Sequence, residues 1–239
     1  GLLSASLIGL ALVAGMLLAA RDEMVRSDMR LLLGVSVVLL AGLVLINLAV
    51  LFVLPWQTAS AVWAASGLFI IWLSLFLKLR VSFVFGLLLQ VIGGAAFVLA
   101  GPALLGPLAS EGLNPMAHSG FWTPLVLGSA ALVGAWRLQI GNHASAFEVL
   151  SLRRLSEVLL VWGAGWWALA WISEVLRFSP VNLQATLLLG GAAVSVALWT
   201  ALALRLKWSS LGLLCTLLMP ATGVVLFAAW QSRYHPAAS

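Results

Sequence analysis

Apolar residues run through this chain in eight long blocks separated by short polar gaps, at residues 1–20, 31–54, 58–77, 81–105, 119–136, 158–176, 185–204 and 209–230. A helix of ~20 apolar residues is ~30 Å long, the thickness of a bilayer's hydrocarbon core, and it pairs its own backbone N–H and C=O groups without water. Strands of a membrane barrel alternate in polarity over about ten residues, and these blocks do not. The pattern predicts an all-α, polytopic transmembrane helical bundle of about eight spans, folded as a single membrane-embedded domain over residues 1–239.

Composition supports lipid as the solvent. The chain is 63% hydrophobic and 8% charged, with a mean hydropathy of +1.14, beyond what soluble domains carry. Charge then orients the bundle. Of 12 Lys and Arg residues, ten fall in alternate gaps: Arg21, Arg26 and Arg30; Lys78 and Arg80; Arg137, Arg153 and Arg154; Arg205 and Lys207. Arg177 and Arg233 are the exceptions. Basic short loops stay cytoplasmic, which predicts odd-numbered loops inside and both ends of the chain outside. The net charge of +5 therefore reports loop placement and contact with anionic lipids, not nucleic-acid binding. Expected partners are membrane lipids, with other subunits or further spans of the same chain as candidates.

The chain opens on Gly1 inside an apolar block, without a basic leader region, and reads as part of a longer chain. Residues 1–120 and 121–239 show no convincing sequence repeat.

Chemistry-bearing residues are few. Cys215 is alone, which excludes an internal disulfide, and no Cys or His pair has zinc-ligand spacing. His118, in the turn-rich segment GPLASEGLNPMAHSG at 106–120, and His235 in the tail are expected to be solvated rather than to form a two-histidine site. Phe147, Leu150, Leu155 and Val158 share a helical stripe beside Glu148, Arg153, Arg154 and Glu157, which predicts a short interfacial helix. With no paired carboxylates, glycine-flanked serine or histidine inside a span, no catalytic, cofactor or metal site is assigned.

Polar residues inside spans are costly and are weighed individually. Asn47 and Gln90 are candidate helix-contact or pocket residues. Pro220 is expected to kink the last span, with Thr216 available near the freed carbonyl. Glu174 is the one acidic residue within a predicted span, and Arg177, three residues on, is its expected partner. Trp167, Trp171 and Glu174 fall on nearly one helical stripe, so an aromatic-lined pocket ending in a carboxylate is the alternative.

Twelve tryptophans punctuate the spans. Trp56, Trp122, Trp230, Trp136 and Trp208 lie near predicted span ends, as interfacial anchors do. The sixth span, VWGAGWWALAWISEV, instead carries Trp162, Trp166, Trp167 and Trp171 through its depth, with Gly163 and Gly165 between them. Its Trp-Gly and Trp-Trp pairs resemble the tryptophan-rich motif of cytochrome c maturation haem-handling proteins over about ten residues. The Asp and flanking histidines of that motif are missing, and haem handling is rejected because ligation needs ligands. The Trp-punctuated spans, AWRLQ at 135–139 and LLVWGAGWWALAWISEVLR at 159–177 resemble the very large multi-spanning bacterial membrane proteins grouped as a domain of unknown function. That resemblance implies a bacterial inner-membrane location and no assigned activity. The expected role is a non-catalytic structural or accessory module of a larger envelope protein or complex, the alternative being a transporter or lipid-handling protein.

Overall fold

The computed structural model describes residues 2–19, 29–100, 113–140 and 151–231. They form eight helices and no strand: α1 (Leu2–Ala19), α2 (Met29–Val53), α3 (Trp56–Leu77), α4 (Arg80–Ala100), α5 (Ser119–Ile140), α6 (Leu152–Phe178), α7 (Val181–Leu206) and α8 (Ser209–Gln231). The fold is all-α. Five helices are long and apolar enough to cross a membrane, namely α4 to α7 and Thr58–Phe76 of α3; the apolar segment Val37–Val53 of α2 is shorter.

Neighbouring helices pair as hairpins, α1 with α2, α3 with α4, α5 with α6 and α7 with α8, and α3 packs on α5 to join the two halves. This up-down order brings Lys78, Arg80, Arg137, Arg153, Arg154, Arg205 and Lys207 to one end of the bundle.

Two joints occur twice with the same geometry. Leu54 and Ser179 each precede a proline, and a residue in that position is driven out of the helical region, which ends α2 and α6. Pro55 (φ −56°, ψ 146°) and Pro180 (φ −62°, ψ 147°) then start α3 and α7. Leu54 N–H bonds the Val50 carbonyl at 3.0 Å, and Ser179 N–H bonds that of Val175 at 3.1 Å. One helix later, Lys78 (φ 59°) and Lys207 (φ 52°) adopt the left-handed conformation that closes a helix. Leu79 N–H reaches the Ser74 carbonyl at 3.0 Å, and Trp208 N–H reaches that of Ala203 at 2.8 Å. Leu79 and Trp208 are both buried, as the hydrophobic residue of such a cap is. Helices α1 to α4 and α5 to α8 thus share their second and third joints, the first joint of each lying outside the described residues. The repeat missing from the letter sequence is present in the backbone.

Glycines set how closely the hairpins approach. A methyl group built on Gly128 would lie 2.9 Å from the Gly163 carbonyl oxygen, and one on Gly163 would lie 2.9 Å from that of Gly128. Gly67 and Gly86 cross in the same reciprocal way, at 2.7 and 2.9 Å, and a methyl on Gly9 would come within 3.0 Å of the Gly42 carbonyl. Seven residues from each of the two central crossings a serine hydroxyl ties the hairpin again, Ser60 to the Gly93 carbonyl and Ser156 to the Ala135 carbonyl. Hairpin α7–α8 has Val196 and Cys215 at the positions that Gly67 and Gly86 hold relative to the lysine turn. Cys215 is buried in the core formed by α3, α4, α5, α6, α7 and α8.

Several sequence expectations change. The interfacial helix is not separate: Leu152 to Val158 are the first turns of α6, while Phe147, Leu150 and Glu148 lie outside the described residues. Trp56 and Trp122 are exposed like interfacial anchors, whereas Trp208 is buried as the cap of α7 and Trp136 is half-buried. Pro220 lies within α8, but the Thr216 hydroxyl donates to Leu213 O at 2.7 Å rather than serving the carbonyl that Pro220 frees.

Candidate site at the non-basic end

Glu174 meets His118, not Arg177. The His118 Nε2 and Glu174 Oε2 atoms are 2.9 Å apart with both side chains 5% exposed. Arg177 Nη1 stands 3.5 Å from His118 Nδ1. Donor and acceptor roles settle the order: an arginine N–H only donates, so Nδ1 accepts and Nε2–H donates to the carboxylate. The second carboxylate oxygen, Oε1, accepts the Met116 backbone N–H at 2.6 Å. Glu174 therefore has a partner on each oxygen.

Local sequence explains how the loop reaches the helix. Asn114 to Ala117 form a turn closed by Ala117 N–H to Asn114 O at 3.2 Å, with Pro115 second and Met116 third. Met116 has φ 59°, a region that glycine or asparagine normally fills at that turn position. Its N–H is thereby aimed at Glu174. Gly120 gives room at the start of α5, since a methyl there would be 3.0 Å from His118 Nδ1 and 3.1 Å from Arg177 Nη1. Phe178 packs on the imidazole with ring centres 5.4 Å apart.

The aromatic pocket exists, but its carboxylate is elsewhere. Trp167, Trp171, Ser195, Trp199 and Leu218 are among the residues lining a cavity of about 210 Å³ between α6, α7 and α8, and Glu174 does not line it. Trp167 Nε1–H donates to Ser195 Oγ at 3.1 Å. Trp171 Nε1 is buried with no partner among the described residues, and its ring meets Phe121 edge-on at 5.7 Å. Trp162 and Trp166 serve a different contact: their rings lie against Gly94 of α4, and Trp166 stacks edge-on with Phe97 at 5.6 Å.

Asn47 and Gln90 stay apart from this region and from each other. Asn47 Nδ2 donates back to Leu43 O at 2.8 Å, and the Asn47 backbone carbonyl accepts Trp63 Nε1–H at 3.2 Å, tying α2 to α3. Gln90, 2% exposed, lies beside Gly67 of α3 and Gly134 of α5, and neither of its amide atoms has a partner among the described residues. No group of three or more His, Cys, Asp or Glu that could hold a metal occurs among the described residues, and His235 lies outside them.

The sequence reading missed His118 as the partner of Glu174. Its one available signal was the pairing of the sole histidine of the 106–120 loop with the sole acidic residue of a span, on the same predicted side. Comparisons with known protein families, characterised proteins and solved structures found no match.

Proposed function

We propose that this chain is an integral membrane protein of eight spans whose role is structural or accessory, a non-catalytic module of a larger envelope protein or complex. In this reading α1, α2 and α8 cross the bilayer with the five longer apolar helices, the basic end faces the cytoplasm, and the partners are lipids and neighbouring protein. The observation that carries it is the use of Glu174. This span carboxylate is buried, with His118 on one oxygen and the Met116 N–H on the other, so it does not present itself to an open path. Asn47, Gln90 and Glu174 sit in separate helix contacts instead of lining one path, as transport would need.

One observation favours lipid handling as the second reading. The α6–α7–α8 cavity is apolar and lined by Trp167, Trp171 and Trp199, features suited to an acyl chain. Cryo-electron microscopy of protein extracted with its native lipids separates the two. The module reading expects that cavity empty or filled by an ordinary lipid tail, with the His118–Glu174 contact intact. A solute or ordered headgroup bound against Trp167 and Trp171, in a cavity that opens to alternate sides, would overturn it.

A further inference from the structure

The two four-helix units are packed unequally. In the first, the α3 residues Ala64, Leu68, Ile71 and Leu75, lying fourteen, ten, seven and three positions before Lys78, pack with α5 in the core. The equivalent α7 residues before Lys207 are Ala193, Ala197, Thr200 and Leu204, and all four are exposed. Helix α7 is 6% buried over its most apolar stretch, against 50% for α3. The other side of the contact shows the same contrast. On α5, Leu127, Ala130 and Gly134 are buried, and a methyl on Gly134 would lie 3.7 Å from Leu68 of α3. Counted from the crossing glycines Gly128 and Gly9, their equivalents on α1 are Ile8, Ala11 and Gly15. These three are exposed, and nothing stands within 4 Å of a methyl built on Gly15.

We propose that a second copy of this chain docks its α1 stripe, Ile8, Ala11 and Gly15, on the α7 stripe, Ala193, Ala197, Thr200 and Leu204, repeating between molecules the contact that α5 makes with α3 within one. Continuity with that intramolecular interface points to a second copy, since each stripe is the counterpart of a packed one and is itself exposed among the described residues. Ala11, Gly15, Ala193 and Ala197 are small, and small residues let helix backbones approach in lipid, where van der Waals packing drives association. The contact is heterologous, so repetition gives a ring where the rotation closes and an open row where it does not. This docking deepens the structural-module reading and rests on it only in part.

The test is cross-linking in the cell membrane with two differently tagged copies, both Cys215→Ala, one carrying Gly15→Cys and the other Ala197→Cys. Oxidation is expected to give a dimer bearing both tags, and no such dimer when Val161→Cys, exposed on α6, replaces Ala197→Cys. Both new cysteines occupy open positions, so the fold survives them. In native-lipid nanodiscs, Ala197→Trp is expected to reduce the assembly to single copies at unchanged thermal stability. No mixed dimer, a dimer equally abundant with Val161→Cys, or adducts of Ala197→Cys with other proteins alone would overturn the proposal. The two readings fail separately. No cross-link with an empty α6–α7–α8 cavity leaves the module standing, whereas a cross-link with a bound solute leaves the docking and sinks the module.

Discussion

His118 and Glu174, 56 residues apart in the chain, are 2.9 Å apart and buried together at the end of the α5–α6 hairpin. The contact fastens the 113–118 segment onto the last turn but one of α6. It also explains why a buried carboxylate is tolerated near the end of an apolar helix: each oxygen has its donor.

Removing the donor to a buried carboxylate, or the acceptor from a buried imidazole N–H, leaves the other group unsatisfied, at a cost of about 1–3 kcal/mol. His118→Ala and Glu174→Ala are each expected to lower thermal stability in detergent strongly. The double variant should lose much less than the sum of the two. Additive losses in that double-mutant cycle would show that the two side chains do not act as a pair.

Gly128 and Gly165 are both glycines of the α5–α6 hairpin but face different surroundings. A methyl on Gly128 meets the backbone of α6 at 2.9 Å, while one on Gly165 meets nothing within 4 Å. Gly128→Ala should destabilise by about 1–3 kcal/mol, because backbone cannot yield as a side chain can. Gly165→Ala should be neutral or gain up to ~1 kcal/mol from helix propensity. Thermal unfolding of the pair checks this, and equal effects would count against the crossing.

Ser195 gives the Trp167 indole its acceptor across the α6–α7 contact. Ser195→Ala leaves that N–H without it and should cost about 1 kcal/mol. Ser195→Thr, which keeps the hydroxyl, should retain most of the stability. If both variants unfold alike, the bond contributes nothing.

Single cysteines at 78, 153 and 207, placed in a Cys215→Ala background, lie at the basic end and are expected to react with a membrane-impermeant thiol reagent only from the cytoplasm. A cysteine at 114 should react only from outside. The reverse result for all four would invert the orientation, and labelling of 78 and 207 from different sides would break the hairpin order.

What the sequence determined by itself is the part governed by local rules. Block length and hydropathy are properties of contiguous residues, and the eight blocks correspond to eight helices among the described residues, five of them long and apolar enough to cross a membrane, with bounds that shift by a few residues, the largest change being α6, which starts at Leu152 instead of 158. The alternation of basic gaps likewise anticipated one basic end, since hairpins of similar length return the chain to the same side. Tertiary structure alone decided the rest. Helical periodicity placed Trp167, Trp171 and Glu174 on one stripe, but a stripe does not say which neighbour it meets. Packing gave the two indoles to a cavity against α7 and α8, with Trp171 also on Phe121 of α5, and the carboxylate to a histidine delivered by the loop before α5. The internal repeat was hidden for a related reason. Its joints need only a proline, a left-handed residue and a buried apolar side chain, and Leu79 and Trp208 fill that last role equally well without resembling each other. In lipid most apolar residues can face most neighbours, so the letters diverge while the turns, which must satisfy backbone hydrogen bonds, keep their geometry.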